Sequence, residues 1–213
     1  MEQAFGFDRR MQELMEAHAS AGERPSLLLH VCCAPCSSAV LERVHAAFRV
    51  TVLFDNPNMD TAREYAIRAG EAERLAKETG WPEGFILAPY DPQAWEQVVL
   101  GLENEPEGGA RCAACFRLRL RRSARAAADM GFRWFTTTLT LSPRKDAALL
   151  NRIGAEEGEA AGVAFLPSDF KKRNGYLRSL ELSRRFGLYR QDYCGCVYSR
   201  RAHPARETAD TNK

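Results

Sequence analysis

Apolar and polar positions along the chain fall into alternating blocks. Ser26-Leu27-Leu28-Leu29-His30-Val31 and Arg49-Val50-Thr51-Val52-Leu53-Phe54 are short, almost continuous apolar runs, as a strand buried on both faces requires. Phe85-Ile86-Leu87, the aromatic and Thr-rich stretch from Phe132 to Leu141, and Val163 to Leu166 predict three more strands. Helical stretches separate them. Ser37 to Val44 follows the first strand, Thr61 to Thr79 is charged and stopped by Gly80 and Pro82, and Pro92 to about Leu102 is a further helix. An Arg-, Ala- and Leu-rich helix from Cys112 to about Met130 is closed by Gly131, and Arg144 to Ala161 and Gly175 to Phe186 complete the series. A polar arm, helical to about Gly22, precedes the first strand.

Strand–helix alternation predicts an α/β fold with a parallel sheet and helices on both faces. No internal repeat and no Pro/Gly/Ser-rich linker interrupts it. The expected organisation is a helical arm over 1–24, one α/β domain over 25–201 and a polar tail over 202–213. The 213 residues suffice for one such domain and are too few for two large ones. A hydrophobic content of 45% argues against wholesale disorder, and the net charge of +2 by itself predicts no partner. No apolar run approaches the ~18 residues that span a bilayer, and acids and arginines occupy the start where a secretory signal has its apolar core. A cytoplasmic protein without a membrane partner is therefore expected, which makes the cysteines informative.

Cys32, Cys33, Cys36, Cys112, Cys115, Cys194 and Cys196 form three tight groups, C-C-x-x-C, C-x-x-C and C-x-C. An odd number in a reducing compartment argues against a disulfide framework, and buried structural cysteines would be expected singly. Metal or redox chemistry is the better account. The first group stands just past the first strand, at a helix N-terminus whose amides favour thiolates. Cys112 and Cys115 share a helix face, a two-ligand bite for zinc or iron–sulfur. Four thiolates from these two segments complete either centre; iron–sulfur is preferred, because a closed zinc site leaves three cysteines idle. Gly195 lets Cys194 and Cys196 approach disulfide geometry as a reducible couple, with a second pair of metal ligands as the alternative.

Arg111, Arg117, Arg119, Arg121, Arg122 and Arg125 crowd one helix, and Lys171-Lys172-Arg173 and Arg200-Arg201 lie further on. Such a patch is either a nucleic-acid footprint or a solvated helix face, and charge alone does not choose. Phe116, Leu120 and Ala124 mark that helix's core side. Tyr176, Phe186, Tyr189, Tyr193 and Tyr198 interleave the later basic stretch and could stack an unpaired base, although such aromatics are mostly core. His30 is more simply a core histidine than a ligand, and Asp55-Asn56-Pro57-Asn58 reads as a turn that could line the site. The Thr136-Thr137-Thr138-Leu139-Thr140-Leu141-Ser142-Pro143-Arg144-Lys145 run could meet an anion where it enters a helix, against cross-strand pairing of its threonines.

Five ordered motifs carry a resemblance: His30-Val31-Cys32-Cys33-Ala34-Pro35-Cys36, Arg111-Cys112-Ala113-Ala114-Cys115, Phe135-Thr136-Thr137-Thr138-Leu139, Leu141-Ser142-Pro143-Arg144-Lys145 and Tyr189-Arg190-Gln191-Asp192-Tyr193-Cys194-Gly195-Cys196. Together, from about Leu27 to Arg201, the chain resembles the QueH family of epoxyqueuosine reductases. The resemblance implies an adenine-nucleotide α-hydrolase-like (HUP, Rossmann-like) fold and reduction of epoxyqueuosine to queuosine at the wobble position of a tRNA anticodon. It further implies a [4Fe-4S] cluster on Cys32, Cys33, Cys112 and Cys115, and a redox-active pair formed by Cys194 and Cys196. Some members carry Asp where Cys36 stands, so Cys36 is expected near the centre, with an additional iron as its candidate partner. Losing the epoxide oxygen takes two electrons and two protons from a donor outside the chain. An iron acting as Lewis acid on that oxygen, with the cysteine pair as reductant or relay, fits these parts. Two rivals are ATP-dependent tRNA thiolation, which needs a Gly-rich loop where Cys-Cys-Ala-Pro-Cys-Ser stands, and a non-catalytic zinc module binding RNA, which leaves three thiols over.

Overall fold

The computed structural model describes residues 2–202, so all but the first residue of the expected tail over 202–213 lies outside the described residues. Five strands, β1 (Ser26–Val31), β2 (Arg49–Phe54), β3 (Gly84–Leu87), β4 (Trp134–Thr137) and β5 (Ala164–Phe165), form one sheet in the order β3-β2-β1-β4-β5. Every pairing is parallel; Leu27 lies beside Val50 and Trp134, and His30 beside Leu53 and Thr137. The expected parallel α/β sheet is the one observed.

Side chains alternate across the central strand. Leu27, Leu29 and Val31 enter one core with residues of α1 (Glu2–Ser20), α2 (Ala34–Val44), α3 (Ala62–Thr79) and α7 (Gly175–Arg185). Leu28 enters a second core with Phe116, Leu120 and Ala124 of α5 (Ala110–Asp129) and Leu150 and Ile153 of α6 (Ala147–Ala161). The sheet is thus sandwiched, and the α5 core stripe lies where the periodicity puts it. Two shorter helices complete the chain: α4 (Pro92–Val99), N-capped by Asp91, and α8 (Val197–Ala202).

The predicted strand over Phe132–Leu141 is shorter than its composition suggests. β4 stops at Thr137, whose hydroxyl accepts the Leu139 amide at 3.1 Å, and Thr138–Leu141 winds into a 3₁₀ turn. The next helix likewise begins at Ala147, capped by Asp146, because Ser142-Pro143 makes a turn first. Connections run from β1 through β2 to β3 and then return across the sheet to β4. The crevice between β1 and β4 is the point where strand order reverses, the place where such sheets bind ligands.

Candidate active site between β1 and β4

Cys32 follows directly on β1. Its amide donates to Thr138 Oγ1 at 3.3 Å, and its sulfur lies 3.5 Å from the same hydroxyl. Cys33 is extended and caps α2, its sulfur accepting the Cys36 amide at 3.3 Å, with Pro35 suited to the first turn. The cap folds the group inward: the Cys32 and Cys33 sulfurs are 3.8 Å apart, and all three lie within 4.8 Å of one another. Two thiolates on one tetrahedral ion at ~2.3 Å stand about 3.8 Å apart, so this trio has the bite of a single thiophilic metal.

Hydrogen bonds from the Cys33 and Cys36 thiols hold Cys32 well below the ordinary thiol value, with Arg119 and Lys145 adding to the effect. Cys36 is raised well above by its bond to Cys32, and burial pushes Cys33 up to about 12. Burial would drive the Lys145 ammonium down, but the Cys194, Cys32 and Cys36 sulfurs outweigh it and hold the cation above its usual value.

Cys112 and Cys115 occupy the first turns of α5. Cys112 accepts the Gly108 amide at 3.2 Å, and Cys115 is buried against Trp95 and Val99. Burial raises both thiols, Cys115 to about 11. Cys194 and Cys196 sit between α7 and α8, where Cys196 accepts the Ser199 amide at 3.4 Å and is likewise raised by burial. This loop is fastened to the turn after β2. The Asp60 amide donates to Gly195 O at 2.8 Å, Tyr193 to Asp60 Oδ1 at 3.2 Å, and Arg68 to Cys194 O at 3.3 Å. Gly195 has φ +117°, and a Cβ there would stand 2.8 Å from Met59 Sδ. Only glycine permits so close an approach.

Two adjoining cavities result. The larger, about 340 Å³, is lined by Cys32, Cys36 and Cys194 together with Arg68, Arg119, Thr138 and Tyr176. The smaller, about 120 Å³, is lined by Cys112, Cys115, Cys194 and Cys196 with Asn58 and Trp95. Glu107, Arg144, Lys145 and Cys194 border both. All seven cysteines are free. The structure therefore brings every cysteine group to one crevice, but Cys32 and Cys33 line up with Cys36, and Cys112 and Cys115 with Cys194 and Cys196. A thiol-rich set of this kind fits a soft metal or an iron–sulfur centre.

Other expectations resolve differently. Apart from Arg125, which is exposed, the α5 arginines are taken up within the fold: Arg117 and Arg121 pair with Glu157, Arg122 with Asp55 and Asp91, and buried Arg119 donates to Asn56 Oδ1. Arg111 donates to the carbonyls of Leu102, Glu103 and Glu105. The helix is thus no open anion stripe, because most of its charges are spent on neighbours. His30 is structural: Nε2 donates to Asp55 O at 3.1 Å, which fixes the tautomer so that Nδ1 accepts from Thr137 at 2.8 Å. Of the threonines only Thr138 reaches a cysteine; Thr136 donates to Leu166 O and Thr140 meets Ser168. Tyr198 packs against Trp95 and under Arg111, and Phe186 against Trp81, whereas Tyr176 stays at the mouth of the larger cavity.

Sequence reasoning missed Trp95 and passed over Gln191, which lines the larger cavity and whose buried Oε1 has no partner among the described residues. A tryptophan between two cysteine groups carries no periodic signal that separates it from core. Gln191 stood inside a quoted motif, and its position three residues before Cys194 was the available hint.

The family model described as "Epoxyqueuosine reductase QueH" matches residues 27–202. The protein of that name from Streptococcus pyogenes serotype M1 is 42% identical over 201 residues, covering 92% of this chain and 79% of its own length. That from Staphylococcus epidermidis is 39% identical over 203 residues, covering 92% and 85%. That from Thermotoga maritima is 33% identical over 175 residues, covering 82% and 90%. With its thiol-lined crevice and similarity over most of its length, the chain belongs to the QueH family and is an epoxyqueuosine reductase, an oxidoreductase acting on tRNA.

Proposed function

We propose that residues 25–201 form the catalytic domain, with 1–24 an appended arm, and that a [4Fe-4S] cluster and a cysteine pair in the crevice divide the work of reduction. The epoxide oxygen leaves as water, two electrons and two protons are taken up from outside the chain, and the cyclopentene-diol remains. The observation that supports this most is the convergence of six thiols on two cavities joined through Lys145 and Cys194, with the seventh, Cys33, clustered on Cys32 and Cys36. When bound, such a centre supplies single electrons, and an additional iron with an open position supplies Lewis acidity. The residues do the rest. A cavity of about 340 Å³ has room for a modified base withdrawn from the anticodon loop. Thr138 holds Cys32 in place, Lys145 keeps positive charge beside the sulfurs, and the Asp60 and Arg68 contacts fix the Cys194–Cys196 loop at the boundary of the two cavities.

Two ligand sets follow. In the first, Cys32, Cys33, Cys112 and Cys115 hold the cluster, and Cys194 and Cys196 are the redox pair. The second is favoured by the 3.8 Å Cys32–Cys33 sulfur spacing and by the four cysteines around the smaller cavity. Here Cys112, Cys115, Cys194 and Cys196 hold the cluster, and Cys32, Cys33 and Cys36 a single iron. The deciding experiment reconstitutes single Cys→Ser variants anaerobically, counts iron and sulfide, and assays tRNA from cells accumulating epoxyqueuosine. In the first set Cys194→Ser and Cys196→Ser keep their iron and lose turnover. In the second both lose the cluster, while Cys36→Ser loses about one iron. A wild-type protein that binds zinc alone, or leaves the epoxide untouched with a strong reductant, would sink both.

A further inference from the structure

Two side chains that border the smaller cavity, Asn58 and Trp95, carry polar atoms with no hydrogen-bond partner among the described residues. Asn58 is 1% exposed, and neither its Nδ2 nor its Oδ1 has a hydrogen-bond partner among the described residues. Buried amides are almost always satisfied, because water has been removed from both ends. Asn56, two residues earlier in the same turn, shows what a structural asparagine does here: Nδ2 donates to Val31 O at 2.9 Å, and Oδ1 accepts from Arg119. Asn58 instead lines the cavity that carries Cys112, Cys115, Cys194 and Cys196. The bare backbone of Gly195 admits it; a Cβ at Gly195 would lie 3.3 Å from Asn58 Nδ2.

A second donor arrives from a different element. Trp95 of α4 lines the same cavity and packs on Cys115, and its buried indole N–H has no oxygen or nitrogen partner among the described residues. Backbone amides already serve two of the other sulfurs, Gly108 to Cys112 and Ser199 to Cys196. The cavity is therefore bordered by N–H groups from several elements and by four sulfurs that can accept from them.

We propose that Asn58 and Trp95 donate N–H···S hydrogen bonds to the iron–sulfur centre of this cavity and thereby set its reduction potential. The inference rests on the reading that such a centre sits there, and it holds for either ligand set, since Cys112 and Cys115 belong to both. Reduction adds negative charge to the sulfurs, so each donor bonds the reduced state more strongly and moves the potential upward. Lys145, a cation at the boundary of the cavities, acts in the same direction.

The test compares reconstituted wild type, Asn58→Leu and Trp95→Phe by iron and sulfide content and by a spectroscopically monitored redox titration. Leu approximates the shape of Asn without its donor, and Phe keeps the aromatic contact without the N–H. Both variants should bind as much iron as wild type, and both midpoint potentials should move to more negative values. Full iron content with an unchanged potential in both overturns the proposal. Iron loss from Asn58→Leu makes Asn58 a brace of the loop and overturns its part, leaving Trp95→Phe to decide the other. A wild type without iron–sulfur absorbance fails the underlying reading instead, and the two failures are distinguishable.

Discussion

At the scale of single residues, the crevice depends on side chains whose protonation the fold dictates. Burial, then the Arg119 charge, lowers His30 from 6.5 to about 3, so the native ring stays neutral. Its two hydrogen bonds require that state, because a protonated Nδ1 could no longer accept from Thr137. The unfolded chain binds the proton below 6.5 and the native chain does not, so stability is intact above 6.5 and falls as the pH drops towards 3. At about pH 5 the loss from this residue alone is about 2 kcal/mol. Urea unfolding at about pH 7 and about pH 5 measures it. His30→Gln should be less stable at the higher pH and should show that much less pH dependence; an equal dependence in both proteins would place the proton elsewhere.

At the scale of elements, legibility tracked whether the signal is local. β1 and β2 match their apolar runs residue for residue, Ser26–Val31 and Arg49–Phe54, since both faces of each strand are buried. β4 was overextended because β-branched composition cannot report where its neighbour ends; β1 stops at Val31, and the chain beyond Thr137 has no strand to pair with. The cysteine groups were visible, but which group meets which is settled by long-range contacts such as Asp60 to Gly195, which no spacing encodes. The same holds for α6. Gly154 reads as a weak point in a helix, yet a Cβ there would stand 2.5 Å from the Phe165 ring, itself packed edge-on against Phe135 at 5.1 Å. Gly154→Ala should therefore push α6 from the sheet and destabilise by about 1–3 kcal/mol, where helix propensity alone predicts a gain. Its urea midpoint decides the sign, and iron bound per folded molecule should not change.

At the scale of the whole molecule, a net charge of +2 is too small to hold a polyanion by itself, and α5 has spent most of its arginines on Glu157, Asp55, Asp91 and Asn56. If the modified base enters the larger cavity, as proposed, the cations bordering that cavity are the ones its phosphate meets. Arg190 is exposed there, held among the described residues by a 3.4 Å bond to Ser183 Oγ, and Tyr176 lines the same cavity with a ring that can stack a base. Arg125, equally exposed on α5, borders neither cavity. Each phosphate contact adds about 0.7–0.9 to the slope of log affinity against log salt. Arg190→Ala should weaken tRNA binding and lower that slope by about one contact, whereas Arg125→Ala should change neither. Anisotropy titrations of labelled tRNA across a salt series measure both. Equal losses in the two variants would mean that tRNA is held by diffuse charge, and the rim of the larger cavity would lose its standing as the anticodon's landing place.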